Sequence, residues 1–145
     1  ALKQALAALN QVVTGKVTVV FGCGGDRDAG KRPIMGAIAA AGADRVIVTS
    51  DNPRSESPEA IIDDILLGCD DSPIVEADRA AAIALAIAEA KVGDTVLIAG
   101  KGHETYQEID GVRLPFNDAG CAAQHLQQRH LRKTLHAEAP KLQPE

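Results

Sequence analysis

Lys16-Val17-Thr18-Val19-Val20-Phe21 runs directly into Gly22-Cys23-Gly24-Gly25-Asp26-Arg27-Asp28-Ala29-Gly30-Lys31-Arg32-Pro33. A short β-branched run bounded by glycine reads as a buried strand. Pro33 suits an early position in a helix that reaches about Gly42, with Gly42 as its C-cap. Strand, glycine-rich loop and helix in succession begin a βαβ unit, and the pattern repeats outward. Upstream, Ala1 to Val13 is Ala/Leu-rich and reads as a helix. Downstream, Arg45 to Thr49 is a second buried strand and Ser50 to Ser57 a polar loop. Ser57 before Pro58 reads as N-cap and first helical position of a helix to about Leu67. Ile74 to Glu76 is a short third strand, Ala77 to Ala90 a helix, and Thr95 to Ala99 a fourth strand.

After Gly100 to Glu104 the character changes. Tyr106 to Ile109 and Val112 to Leu114 flank Asp110-Gly111, a strong hairpin signal. Asn117 or Asp118 is placed to cap a last helix through about Leu131. The stretch from His136 to Glu145 is polar with two prolines, the composition of a frayed terminus. Strands alternating with helices predict an α/β fold: a Rossmann-like, doubly wound, mainly parallel sheet with a C-terminal hairpin or antiparallel edge. One domain is expected over residues 1–131, followed by a flexible tail over 132–145. No internal repeat and no second domain are visible.

The 145 residues, 46% hydrophobic and only 2% aromatic, suffice for one aliphatic core. A formal charge of −5 and the lack of aromatic platforms argue against a nucleic-acid-binding domain. No run of about 18 apolar residues suggests a membrane span. Residues 1–11 lack the basic start and apolar block of a signal peptide. Cys23, Cys69 and Cys121 lie far apart, as expected of reduced thiols in a cytoplasmic protein, and no Cys or His pair has zinc-ligand spacing. Because the chain starts at Ala1 rather than Met, a piece of a longer protein with an incomplete active site is expected.

In a doubly wound sheet, ligands bind at the carboxyl ends of the strands. Three loops leave those ends: Gly22–Lys31, Ser50–Ser57 and Gly100–Glu104. Gly25 to Lys31 matches G-x-x-x-x-G-K, but Arg32 stands where a Ser or Thr would reach magnesium, so the loop is not a true phosphate-binding P-loop. The dinucleotide fingerprint fails as well, with Arg27 at its sixth position. Glycines alone serve a tight turn. Asp26-Arg27-Asp28 additionally looks built to present an arginine between supporting carboxylates, and a guanidinium fork suits a carboxylate ligand.

By local physics, Asp51-Asn52-Pro53-Arg54 is a turn with a solvated charge. Alternatively, Pro53 stiffens the loop so that Asn52 and Arg54 stand ready at a strand end, with Asn52 able to donate or accept. In the third loop, Gly100 permits close approach of a ligand to the backbone, and Glu104 is either an exposed charge or the partner of a ligand ammonium. Lys101 and His103 are either catalytic or solvated. Two arginines, an asparagine and a glutamate at adjacent strand ends suit a zwitterionic amino acid with more than one carboxylate. The set includes no activated nucleophile and no metal cluster.

Taken in register, Gly22-Cys23-Gly24-Gly25-Asp26-Arg27-Asp28, Gly30-Lys31-Arg32-Pro33, Asp51-Asn52-Pro53-Arg54 and Gly100-Lys101-Gly102-His103-Glu104 resemble the Mur ligases. The branch they resemble is the MurE type, which adds meso-diaminopimelate. The resemblance spans about residues 1–130 and corresponds to the family's C-terminal domain. It implies an ATP-dependent amide ligase of peptidoglycan precursor synthesis, and hence of cell-wall biogenesis, cell shape and division. Such a ligase joins meso-diaminopimelate to UDP-MurNAc-L-Ala-D-Glu through an acyl phosphate.

The resemblance also implies that Arg27, Asp51, Asn52, Pro53, Arg54, Gly100 and Glu104 bind meso-diaminopimelate. Arg27, Asn52 and Arg54 would hold carboxylates, and Gly100 and Glu104 the distal ammonium. Lysine-adding relatives lack the arginine of the Asp-Asn-Pro-Arg motif, so Arg54 points to the diaminopimelate type. ATP, Mg2+ and the UDP-MurNAc-dipeptide are expected to bind mainly through domains outside this chain. The chain itself is then expected to hold no catalytic residue, metal or cofactor, and to meet neither nucleic acid nor membrane. The alternatives are a lysine-adding or folylpolyglutamate-type ligase domain, or a stand-alone amino-acid-binding module.

Overall fold

The structure, a computed structural model, describes residues 1–70 and 73–138. Its elements are α1 (Leu2–Val12), β1 (Val17–Phe21), α2 (Lys31–Gly42), β2 (Arg45–Val48), α3 (Pro58–Leu66), β3 (Ile74–Val75), α4 (Arg79–Glu89), β4 (Thr95–Ala99), β5 (Tyr106–Ile109), β6 (Val112–Pro115) and α5 (Asp118–Glu138). Four strands form one sheet in the order β3-β2-β1-β4, with every pairing parallel. The chain steps outward from β1 to β2 and β3, then returns to place β4 on the other side of β1. The strand order therefore reverses between β1 and β4, which makes the crevice beyond their carboxyl ends the expected ligand position.

Both faces of the sheet are covered, which explains why β1 is apolar except for Thr18 and wholly buried. On one face Leu6, Ala39, Ile61, Ile62 and Ile65 of α1, α2 and α3 pack on Val17, Val19 and Phe21. On the other, Ala82, Ile83, Ala86 and Ile87 of α4 pack on Val20 and Ile47, joined by Phe116, Cys121 and Ala122 at the start of α5. Each fully buried aliphatic side chain contributes about 1.5–3 kcal/mol. No helix among the described residues is long and apolar enough to cross a membrane.

Local chemistry sets most boundaries. Ser57 Oγ accepts from Ala60 N with Pro58 at the first helical position, and Asp78 accepts from Ala81 N at the start of α4. Asp110 and Gly111 both have positive φ, 50° and 77°, the turn a two-residue hairpin requires. The hairpin forms its own antiparallel ladder beside the parallel sheet, and an isolated parallel bridge from Ile109 to Arg54 joins it to the loop after β2.

Three expectations change. Gly42 is not a left-handed cap: it is the last residue of α2, and Ala43 ends the helix in extended conformation. A Cβ on Gly42 would stand 3.0 Å from Leu6 Cδ1, so the glycine serves α1–α2 packing. The last helix does not stop near Leu131 but continues through Glu138, so the expected flexible tail over 132–145 is helical in its first part. The remainder of that tail lies outside the described residues. Asn117 supplies the turn-forming side chain, accepting from Gly120 N at 2.7 Å, and this frees Asp118 for a different task.

Asp118 meets Arg79 in a bidentate, buried pair, with Nε–Oδ1 at 2.8 Å and Nη2–Oδ2 at 2.7 Å. Arg79 also donates to Ser50 O and Ala99 O, both at 3.1 Å. One guanidinium thus ties the ends of β2 and β4 to the start of α5. Arg79→Met would strand the Asp118 carboxylate and two carbonyls. It is expected to lower unfolding free energy by about 3–5 kcal/mol in urea denaturation. A loss below about 1 kcal/mol, the worth of an exposed pair, would contradict this role.

Candidate functional site

The loop after β2 is held from both sides. Gly25 N donates to Asn52 O at 2.8 Å, binding it to the loop after β1. A Cβ on Gly25 would stand 1.8 Å from Pro53 O, so only glycine allows the two backbones to meet this closely. On the other side, Arg54 N donates to Glu108 O at 3.0 Å and Asp110 N to Arg54 O at 2.7 Å. Gln107 Nε2 donates to Ser50 Oγ at 2.9 Å and Asp51 O at 2.7 Å. The hairpin is therefore a backing wall for Ser50 to Arg54. Arg54 has φ of +52°, a conformation that costs a non-glycine residue energy and persists where surroundings enforce it.

Asn52 and Lys101 lie beneath this loop, 2% and 3% exposed. Lys101 Nζ donates to Asn52 Oδ1 at 2.6 Å and to Tyr106 O at 3.1 Å, and pairs with Asp51 Oδ1 at 3.0 Å. Glu104 Oε1 stands 3.9 Å from the same ammonium and 3.5 Å from Asn52 Nδ2. Gly100, at φ +115°, is exposed, and a Cβ there would lie 3.0 Å from Asp51 Oδ2. Asp51, Asn52, Gly100 and Glu104 thus converge around Lys101. Lys101 itself is neither solvated nor exposed for catalysis; it organises the group. His103 is exposed.

The arginines gather at Gly24. A Cβ there would stand 2.9 Å from Arg54 Nη1 and 3.5 Å from Arg27 Cγ. Arg54 donates through Nη1 to Gly25 O at 2.9 Å, and its Nε faces Glu108 Oε2 at 3.5 Å. Among the described residues its Nη2 makes no hydrogen bond, which leaves one edge of the fork for an anion. Arg27 is exposed and donates only to its neighbour's carbonyl, Asp26 O, at 3.2 Å.

The flanking acids do not support Arg27 as the sequence suggested. Asp26 accepts from Ser55 Oγ at 2.6 Å, and Asp28 from Gly30 N at 2.9 Å. Asp28 thus forms its own loop's turn, while Asp26 ties that loop to Ser55 of the loop after β2. Pro53 is buried and shapes its loop. Asn52 is committed through its oxygen.

Arg32, the residue that spoils the P-loop match, has a structural role that the sequence did not disclose. It is 2% exposed. It donates to Glu56 at 2.8 and 3.2 Å, to Asp64 at 3.0 Å and to Gly24 O at 3.1 Å. It clamps the first loop to the second. A side chain so engaged cannot help hold Mg-ATP, and no group of three potential metal ligands occurs among the described residues. Burial pushes the Cys23 thiol up to about 11, so it is not poised as a thiolate nucleophile. A groove of about 880 Å³ lies away from these loops between α4 and α5.

A family model described as "Mur ligase, glutamate ligase domain" matches residues 1–102. A curated relative from Acidovorax sp. (strain JS42) is 60% identical over 134 residues, 89% of this chain and 27% of its own length. One from Chromobacterium violaceum is 58% identical over 129 residues, 87% of this chain and 26% of its own length. Both are named UDP-N-acetylmuramoyl-L-alanyl-D-glutamate--2,6-diaminopimelate ligase. A solved structure of that title superposes with TM-score 0.86 at 48% identity, covering 89% of this chain and 27% of the other. The chain thus spans about a quarter of the length of these relatives.

The loop clamp has a pH signature. Arg32 first, then the Asp26 amide, holds the Glu56 carboxylate below its ordinary value of 4.5. The folded state therefore binds that proton less readily than the unfolded chain. The stabilisation is present above the ordinary value and is lost as pH falls through the depressed one. The stability gap between the native chain and Glu56→Gln, measured by denaturation over a pH series, should narrow on acidification below about 4.5. A gap independent of pH would show that the clamp is not ionic.

Proposed function

The chain belongs to the Mur ligase family, and on that premise we propose that its strand-end site binds the amino acid that the ligase adds, meso-diaminopimelate. The observation that carries this reading is the Arg54 guanidinium. Its Nη1 and Nε are held by Gly25 O and Glu108, while Nη2 is left without a partner among the described residues. A guanidinium held this way offers directed donors to a carboxylate at little further entropic cost. Arg27, on the other side of Gly24, supplies a second cation. Asn52 and Glu104, with the open backbone at Gly100, face an amino acid's remaining polar groups. The family relatives' printed name, a 2,6-diaminopimelate ligase, agrees with this chemistry.

In this reading the chain is the amino-acid-binding domain of an ATP-dependent amide ligase of peptidoglycan precursor synthesis. Its part in the reaction is to orient the incoming amino acid so that the amine meets the activated D-glutamate carboxyl. Arg27 and Arg54 hold carboxylates. Glu104, with Gly100 and Asp51 close by, holds the ammonium. ATP, Mg2+ and the UDP-MurNAc-dipeptide engage mainly the parts of the ligase outside this chain. Those substrates place the reaction in the cytoplasm.

L-Lysine is meso-diaminopimelate without one carboxylate, so a site built around Arg54 rejects it. Losing a charge-assisted hydrogen bond costs about 1.5–3 kcal/mol, roughly ten- to hundredfold in affinity. In a full-length ligase carrying this domain, Arg54→Ala should raise KM for diaminopimelate by about that factor while KM for ATP stays level. Calorimetry of the 145-residue chain should detect diaminopimelate in preference to both lysine and ATP. Equal losses for amino acid and ATP, or tighter binding of lysine, would overturn the assignment.

A further inference from the structure

We propose that Lys101 is a positioning residue that sets the polarity of the amino-acid site, by forcing Asn52 to present its N–H groups and not its carbonyl. The inference rests on the reading of the site as an amino-acid pocket and adds the device that orients it. An ammonium has three donors and no acceptor. Lys101 Nζ lies 2.6 Å from one end of the Asn52 amide, so that end is the oxygen. Glu108 N, a second donor, meets the same atom at 2.9 Å. Two donors on one atom remove the ambiguity of an amide flip, because the flipped form would set a nitrogen donor against both.

The consequence falls on the other end of the amide. Asn52 Nδ2 is turned toward Glu104, whose Oε1 it meets only at the long distance of 3.5 Å. That contact is weak enough for a ligand acceptor to replace. Asn52 thus offers donors to a carboxylate oxygen, directly beside the glutamate proposed to hold an ammonium. The same Lys101 charge pairs with Asp51 at 3.0 Å and lies 3.9 Å from Glu104. It offsets acids that would otherwise repel a ligand carboxylate. The Lys101 ammonium is already taken up by Asn52 Oδ1, Asp51 Oδ1 and Tyr106 O, so it acts through Asn52 and not on the ligand.

The test uses a full-length ligase carrying this domain. Asn52→Asp keeps the shape and the bond to Lys101, and replaces the outward donor with an acceptor. KM for diaminopimelate should rise about tenfold or more, with KM for ATP unchanged. An outward carbonyl predicts the opposite, an unchanged or lower KM, and that result overturns the proposal. Lys101→Met should give the same selective rise in KM. Combined with Asn52→Ala it should be no worse than the worse single variant, since one residue acts through the other. Additive losses would mean that Lys101 works independently of Asn52. Arg54→Ala separates the two levels of inference. If it raises KM while the Asn52 and Lys101 variants do not, only the polarity role fails. If it too has no effect, the amino-acid site fails and the proposal with it.

Discussion

A buried ammonium can exist only where oxygens replace the water it has lost, and this requirement at Lys101 organises the functional end of the molecule. Desolvating such an ion costs several kcal/mol. The cost is met by Asn52 Oδ1, Asp51 Oδ1 and Tyr106 O, at 2.6, 3.0 and 3.1 Å. These oxygens come from the loop after β2 and from β5. One charge therefore draws together segments that are far apart in sequence.

The same economy of donors governs the backbone. The Ser50–Arg54 segment is too buried for water to satisfy its amides and carbonyls. The loop after β1 supplies one partner through Gly25 N, Arg79 supplies another for Ser50 O, and the hairpin supplies more through Glu108, Asp110 and Gln107. Enclosed on both sides, Arg54 tolerates a left-handed backbone and keeps one edge of its guanidinium open. Arg32 and Arg79 apply the same logic further out. Each buried guanidinium bridges carboxylates and carbonyls from different elements, Arg32 joining the first two loops and Arg79 joining β2, β4 and α5.

These constraints hold the proposed carboxylate-binding groups in fixed positions. The site's cations are either buried organisers or exposed forks, and the buried thiol at Cys23 stays protonated near neutral pH. The chain spans about a quarter of its relatives' length. The groove between α4 and α5 lies outside this arrangement, lined by Ala81, Leu85 and Arg129 among others.

The sequence alone determined the alternation of strands and helices, because β-branched runs, Ser57-Pro58 and Asp110-Gly111 act through neighbours in the chain. It also located the three strand-end loops, since glycine and proline announce a turn without help from the rest of the fold. The seven proposed ligand-binding residues were legible as a motif set through family resemblance, while local physics left Asp51 to Arg54 as easily a turn as a site. Only tertiary structure decided what each side chain does. Asp26 turned from Arg27 to hold Ser55 of the second loop, Asp28 to shape its own loop, Asn52 had its oxygen claimed, and Lys101 and Arg32 became buried organisers. Asp118 became the partner of Arg79, and Gly42 a packing surface for Leu6. The physical reason is common to all of them. A polar group's role depends on which donor or acceptor it meets, and here those partners lie far along the chain, as between Lys101 and Asn52, 49 residues apart.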